Sequence, residues 1–159
     1  MGHSKTEKDW IAYYKTLRGR KDPGFVTELE PDVLSVDLED QSMIISFNTK
    51  NYMRNPANFV HGGVIAGMAD SAMGILAIIL HEGTYGVTAD MTISYLRPVP
   101  MHTKIFVRSK CWKSGKTLTF MTCEGYLEES PDEVLFTSSS RYMLVPDKQL
   151  DDYLAIDNI

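Results

Sequence analysis

The sequence predicts an α+β fold: one antiparallel β-sheet wrapped around a long central α-helix, with an extra N-terminal helix. Three observations lead there. Residues 64–80 are almost wholly apolar and rich in Ala, Met and Leu, which suits a buried helix. Two alternating runs separated by a turn precede it, and everything after it reads as strand. The order is then helix, two strands, long helix, four strands, and one sheet around one helix is the economical way to bury that pattern.

Each element has its own signature. Ser4-Lys-Thr-Glu7 reads as a capping box opening the first helix. Trp10, Ile11, Tyr14 and Leu17 follow at helical spacing, and Gly19 is a stop signal. Asp22-Pro23-Gly24 is a turn. Residues 33–38 alternate, with Leu34, Val36 and Leu38 on one face; Asp40-Gln41 turns the chain into a second strand over 42–48. An irregular polar loop over 48–60 leads to the long helix, which Gly83-Thr-Tyr-Gly86 ends. Val87, Ala89, Met91, Ile93 and Tyr95 then share one strand face, with Thr88, Asp90, Thr92 and Ser94 on the other. Arg97-Pro-Val-Pro100 breaks that strand, and 104–113, 117–127 and 134–145 supply three more. The expected organisation is a helical extension over 1–22, a main domain over 23–146 and an acidic tail over 147–159.

Composition narrows the function. With 159 residues, 43% apolar and 23% charged, the chain has the make-up of one soluble domain. A net charge of −5 argues against general nucleic-acid binding. Residues 62–80 are nearly long enough to span a bilayer and contain a GxxxG match at Gly63 and Gly67. Asp70 falls in the middle, at a cost of a few kcal/mol in lipid, so no membrane partner is expected. No charged-then-apolar leader opens the chain, so a cytoplasmic location is expected. Cys111 and Cys123 would sit at different heights on two strands folded back at Ser114-Gly115, which favours reduced thiols over a disulfide. His3, His61, His81 and His102 are too scattered to propose a metal site.

Charge is unevenly spread. Met91 to Cys123 contains no Asp or Glu but six basic residues, so the rest of the chain is at −11. This suits an anionic ligand with a few phosphates, or else a solvated strand face. One helix covers only one face of the sheet, so dimerisation is also expected.

The chemistry concentrates in Asn55 to Asp70. His61-Gly62-Gly63 would start the long helix, where free N–H groups and the helix dipole favour negative charge and glycine lets a ligand approach. A carbonyl oxygen becoming negative during reaction would be stabilised there. Asp70 is a lone acid in an apolar stretch, where burial costs about 1–3 kcal/mol without good partners. It lies eight residues beyond Gly62, about 12 Å along a helix. The two cannot serve one carbonyl carbon within a single chain. If both act, Gly62 of one copy faces Asp70 of another across antiparallel helices. Asn55 is a second amide donor, an orienter of His61 or a plain turn former; His61 and Thr88 each have ordinary structural readings too.

The pattern Asn55, His61-Gly62-Gly63 and Asp70 resembles the hotdog-fold acyl-CoA thioesterases of the phenylacetate-degradation and thioesterase-superfamily-member type. Gly86-Val-Thr-Ala-Asp-Met-Thr-Ile-Ser-Tyr-Leu-Arg-Pro98 and Lys113-Ser-Gly-Lys-Thr-Leu118 match in the same order, over Gly24 to Val145. The resemblance implies a hotdog fold and hydrolysis of an acyl- or aryl-CoA thioester to free acid and coenzyme A. Coenzyme A would be part of the substrate, with no separate cofactor and no metal. Asp70 would act as base or nucleophile and the Gly62 N–H would polarise the thioester carbonyl from the opposite subunit. Asn55 and His61 would shape that pocket and Thr88 would position water. Arg97, Lys113 and Lys116 would bind the coenzyme A phosphates, with Gly63 and Gly115 as further substrate contacts. A homodimer, assembled as a dimer of dimers, is implied as well. The chain departs from the pattern at Asn58, where relatives commonly carry Gly. Two other readings compete: a hotdog enoyl-CoA hydratase or dehydratase, and a non-catalytic acyl-CoA binder.

Overall fold

The structure is a computed structural model describing residues 5–17 and 24–147. Ser4, Gly19, Asp22, Pro23 and the acidic tail beyond Asp147 lie outside the described residues. Helix α1 (Glu7–Leu17) is followed by a short α2 (Phe25–Leu29), β1 (Asp32–Asp37), β2 (Ser42–Asn48) and the central α3 (Gly62–Leu80). Strands β3 (Thr84–Tyr95), β4 (Lys104–Ser114), β5 (Leu118–Leu127) and β6 (Phe136–Pro146) complete the chain. All pairings are antiparallel, in the order β1-β2-β4-β5-β6-β3. The expected sheet around one helix is therefore the observed fold, with α2 and a 3-10 turn at Asn51–Met53 added. Both additions are too short to carry a periodic signal.

Local chemistry explains several boundaries. The box that opens α1 is Thr6 with Asp9: the Thr6 N–H donates to Asp9 Oδ2 at 2.8 Å and the Asp9 N–H to the Thr6 hydroxyl at 3.3 Å. The Thr6 hydroxyl and then its N–H hold the Asp9 carboxyl below the usual carboxylate range. Trp10 and Tyr14 turn into the core as their spacing predicts. At the other end of α3, Gly83 takes φ 82, so β3 begins at Thr84, three residues before the expected Val87.

Two β-bulges overturn the expected strand faces. In β1 the register slips between Val33 and Ser35, so Val33 and Val36 are buried while Leu34 stays exposed. In β3 the slip falls between Thr88 and Asp90. Met91 and Ile93 pack against the core, but Tyr85 and Val87 are exposed, and Thr88 reaches back to α3. Simple alternation had put Thr88 on the opposite face.

Ten residues of α3 are buried, among them Met68, Met73, Leu76 and Ile79. The helix is long and apolar enough to cross a membrane, yet here it is the core that the sheet wraps. It is not buried all round: Ala66, Gly67, Asp70, Gly74 and Ile78 form a half-buried stripe. Cys111 pairs with Met121 and Cys123 with Ser109, so the cysteines sit at different heights, both buried and free. The basic stretch is partly neutralised by acids outside it, because Arg108 pairs with Glu124 and Lys110 with Asp40.

Candidate active site

The start of α3 is built by the loop before it. Asn55 Oδ1 accepts the N–H groups of Ala57 at 2.9 Å and Phe59 at 3.1 Å, closing an Asx turn. Asn58 takes φ 64 in that turn, and Asn tolerates this left-handed conformation better than other non-glycine residues. The Gly-to-Asn departure thus leaves the loop conformation accessible. His61 is the N-cap: its Nδ1 accepts the Gly63 N–H at 2.9 Å, and its carbonyl accepts those of Val64 and Ile65. With Nδ1 accepting, the ring N–H is assigned to Nε2. His61 therefore consumes three of the first four amides of α3. The fourth, the Gly62 N–H, meets no acceptor among the described residues.

Two tyrosines that residue order did not place at the site complete the neighbourhood. The Tyr95 hydroxyl donates to the Gly62 carbonyl at 2.8 Å, which holds the Gly62–Gly63 peptide next to the open N–H. Gly62, Asn55, Arg97 and Tyr95 line one cavity of about 340 Å³. Asp70 stands in another. There the Thr88 hydroxyl donates to Asp70 Oδ1 at 2.7 Å, and the Tyr142 hydroxyl lies 2.9 Å from the same oxygen. Tyr142 was legible only in part. Alternation from the buried Ser138 and Ser140 puts it on the helix-facing side of β6, but does not reveal that it reaches Asp70.

The cavity holding Asp70 measures about 460 Å³ and runs under α1 and α2. Trp10, Tyr13, Phe25, Val26 and Ile78 give it apolar walls, with Asp70, Thr88 and Tyr142 as polar groups. Burial first, then the charge of Asp70, push the Tyr142 phenol far up, so it remains a donor. Burial likewise pushes the Cys123 thiol up to about 12.

Sequence-predicted residues thus separate into groups. Asp70 and Thr88 meet; Asn55, Gly62 and Arg97 meet elsewhere; His61 and Gly63 serve the helix cap. Arg97 also donates to the Val134 carbonyl at 2.7 Å. Lys113 and Lys116 are exposed at the β4–β5 turn, which the contact of Ser114 Oγ with His81 Nε2 (3.0 Å) ties to the C-terminal end of α3. Gly115 makes that turn possible, since a Cβ there would lie 2.6 Å from the Leu118 carbonyl oxygen. The lysines and Arg97 therefore sit at opposite ends of a helix about 27 Å long. Among the described residues no three His, Cys, Asp or Glu side chains group as metal ligands.

A six-stranded antiparallel sheet around one long helix, with the helix start and a mid-helix carboxylate as its polar features, defines a hotdog-fold protein. The family model for the thioesterase superfamily matches residues 57–133. Acyl-coenzyme A thioesterase 13 of Mus musculus is 30% identical over 104 residues, covering 65% of this chain and 74% of that protein. The chain belongs to the thioesterase superfamily. Acyl-coenzyme A thioesterase THEM4 of Xenopus laevis is 28% identical over 130 residues, spanning 78% of this chain but only 57% of that protein's length. The solved structure of zebrafish thioesterase superfamily member 2 matches with a TM-score of 0.74 at 20% identity, over 88% of this chain and 99% of that one.

Proposed function

We propose that the protein hydrolyses an acyl- or aryl-CoA thioester to free acid and coenzyme A, in active sites shared between two antiparallel copies. The carrying observation is the division of labour on α3. Among the described residues the Gly62 N–H is the open amide of the first turn, while Asp70 is held eight residues on, in a different cavity. An oxyanion donor and a base must each lie about 3 Å from the reacting carbonyl group. One chain offers two halves; two chains offer two complete sites.

Other features support the pairing. Strand β3 is a sheet edge, and Tyr85, Val87, Tyr95 and Leu96 are exposed along it and just beyond. The half-buried stripe of α3 runs beside it, so a second copy would cover both. With α3 antiparallel to its mate, Lys113 and Lys116 of one copy lie beyond the helix end at which Arg97 of the other stands, and these three are the candidates for the coenzyme A phosphates.

In the reaction so read, Asp70 takes a proton from a water whose oxygen attacks the carbonyl carbon, or attacks that carbon itself to give a mixed anhydride that water then hydrolyses to the free acid. The oxyanion forms against the Gly62 N–H of the other copy, and as it collapses the C–S bond breaks, the departing thiolate taking the proton that came from water. The acyl group lies in the cavity under α1 and α2. Coenzyme A is part of the substrate and no further cofactor is called on.

Asp70→Asn should lower kcat by about 10²–10⁴-fold. Gly62→Pro removes the N–H at the first helical position, where proline is tolerated after the extended His61, and should lower kcat by about 10²–10³-fold. Mixing the two variants under subunit exchange should restore about a quarter of wild-type turnover, because half the molecules carry one intact site. No recovery despite exchange would overturn the shared site. Consumption of enoyl-CoA without thiol release would indicate a hydratase instead.

A further inference from the structure

We propose that Tyr142 is a positioning residue for Asp70: with Thr88 it occupies Oδ1 and leaves Oδ2 as the oxygen that acts on substrate. This rests on the reading of Asp70 as the acting carboxylate. Three features of the packing carry it.

First, the hydroxyl geometry is convergent. Tyr142 Oη lies 2.8 Å from the Asp70 carbonyl oxygen and 2.9 Å from Oδ1, so its single proton bridges backbone and side chain of the same residue. The Thr88 hydroxyl oxygen, on the neighbouring strand, lies 2.7 Å from Oδ1 and donates to it. Thr88 and Tyr142 are themselves register partners on β3 and β6, so the two donors are held by one rung of the sheet.

Second, the ring is packed from two sides. Tyr142 is 1% exposed. A Cβ on Gly74 of α3 would lie 3.5 Å from its Cε1, and one on Gly86 of β3 would lie 3.4 Å from its Cδ1. Helix and strand close on the ring from two elements, and both are glycine at the point of contact.

Third, the donor cannot become an acceptor in the working range, because burial and the Asp70 charge both keep the phenol protonated. Two hydroxyl donors on one oxygen fix the plane of the Asp70 carboxyl group. Oδ2 receives no donor among the described residues.

Tyr142→Phe keeps the ring and removes only the proton. It should lower kcat about 10–100-fold and leave KM within about twofold. Site-specific 3-fluorotyrosine at 142 keeps the ring and the hydroxyl and should hold kcat near wild type. A tyrosine that only packs would leave the kcat of Tyr142→Phe at the wild-type value. Wild-type kcat in Tyr142→Phe, or an equal loss of kcat in the 3-fluorotyrosine protein, would overturn the inference. Retained turnover in Asp70→Asn would instead overturn the reading beneath it.

Discussion

Thr88 on edge strand β3 donates its hydroxyl to Asp70 Oδ1 on α3 at 2.7 Å, and it does so because of a bulge. The slip between Thr88 and Asp90 reverses which residues face the helix. Without it, Thr88 would share the outward face and Asp70 would lose a donor.

That bond should matter through its proton. Thr88→Val is nearly isosteric and should lower kcat about tenfold, whereas Thr88→Ser keeps the hydroxyl and should stay near wild type. Steady-state turnover of a short acyl-CoA checks both. Equal losses in the two variants would point to packing rather than to the hydrogen bond.

His61 should behave as a helix cap. Its ring accepts the Gly63 N–H, so His61→Ala should cost about 1 kcal/mol of stability and His61→Asn should restore it, since asparagine is a strong N-cap. Urea denaturation of the three proteins decides. If Asn fails to restore stability, the ring does more than cap.

Gly67 admits the Phe25 ring over α3, because a Cβ there would come within 2.4 Å of it. Phe25 is 59% exposed and free to swing away, and alanine is the better helix former by about 1 kcal/mol. Gly67→Ala should therefore fold at least as well while displacing a wall of the cavity beside Asp70. KM values across a panel of acyl-CoA lengths should change severalfold and unequally. An unchanged panel would remove Phe25 from the acyl site.

Cys123 links stability to alkaline pH. Its thiol is pushed from 9.0 to about 12, first by burial. The folded state thus holds this proton more tightly than the unfolded chain. The contribution is fully present below about pH 9 and is lost as pH rises towards 12, up to about 4 kcal/mol. Denaturation curves between pH 8 and 11.5 should fall more steeply for wild type than for Cys123→Ala. Parallel slopes would contradict the burial argument.

Much of this was readable from residue order. The periodicity of α1, the hairpin of β1 and β2, the apolar run of α3 and the turns between the last strands all follow from local signals. So did the conflict between Gly62 and Asp70, which comes from helix rise alone. The misreadings cluster where one inserted residue reverses a strand face, at Leu34 and beside Thr88. Period-two alternation carries no mark of a bulge, because the extra residue is defined by its partner strand.

The sequence by itself determined the architecture and the spacing of Gly62 and Asp70 on α3, since these depend on periodicity and distance along one chain. Only the tertiary structure decided which donors reach Asp70, which amide stays open at Gly62, and which aromatic residues wall the cavity. Tyr142 is 72 residues from Asp70 in the chain. Contacts of that kind arise from the register of β6 against β3 and the packing of both on α3, and no local pattern encodes them.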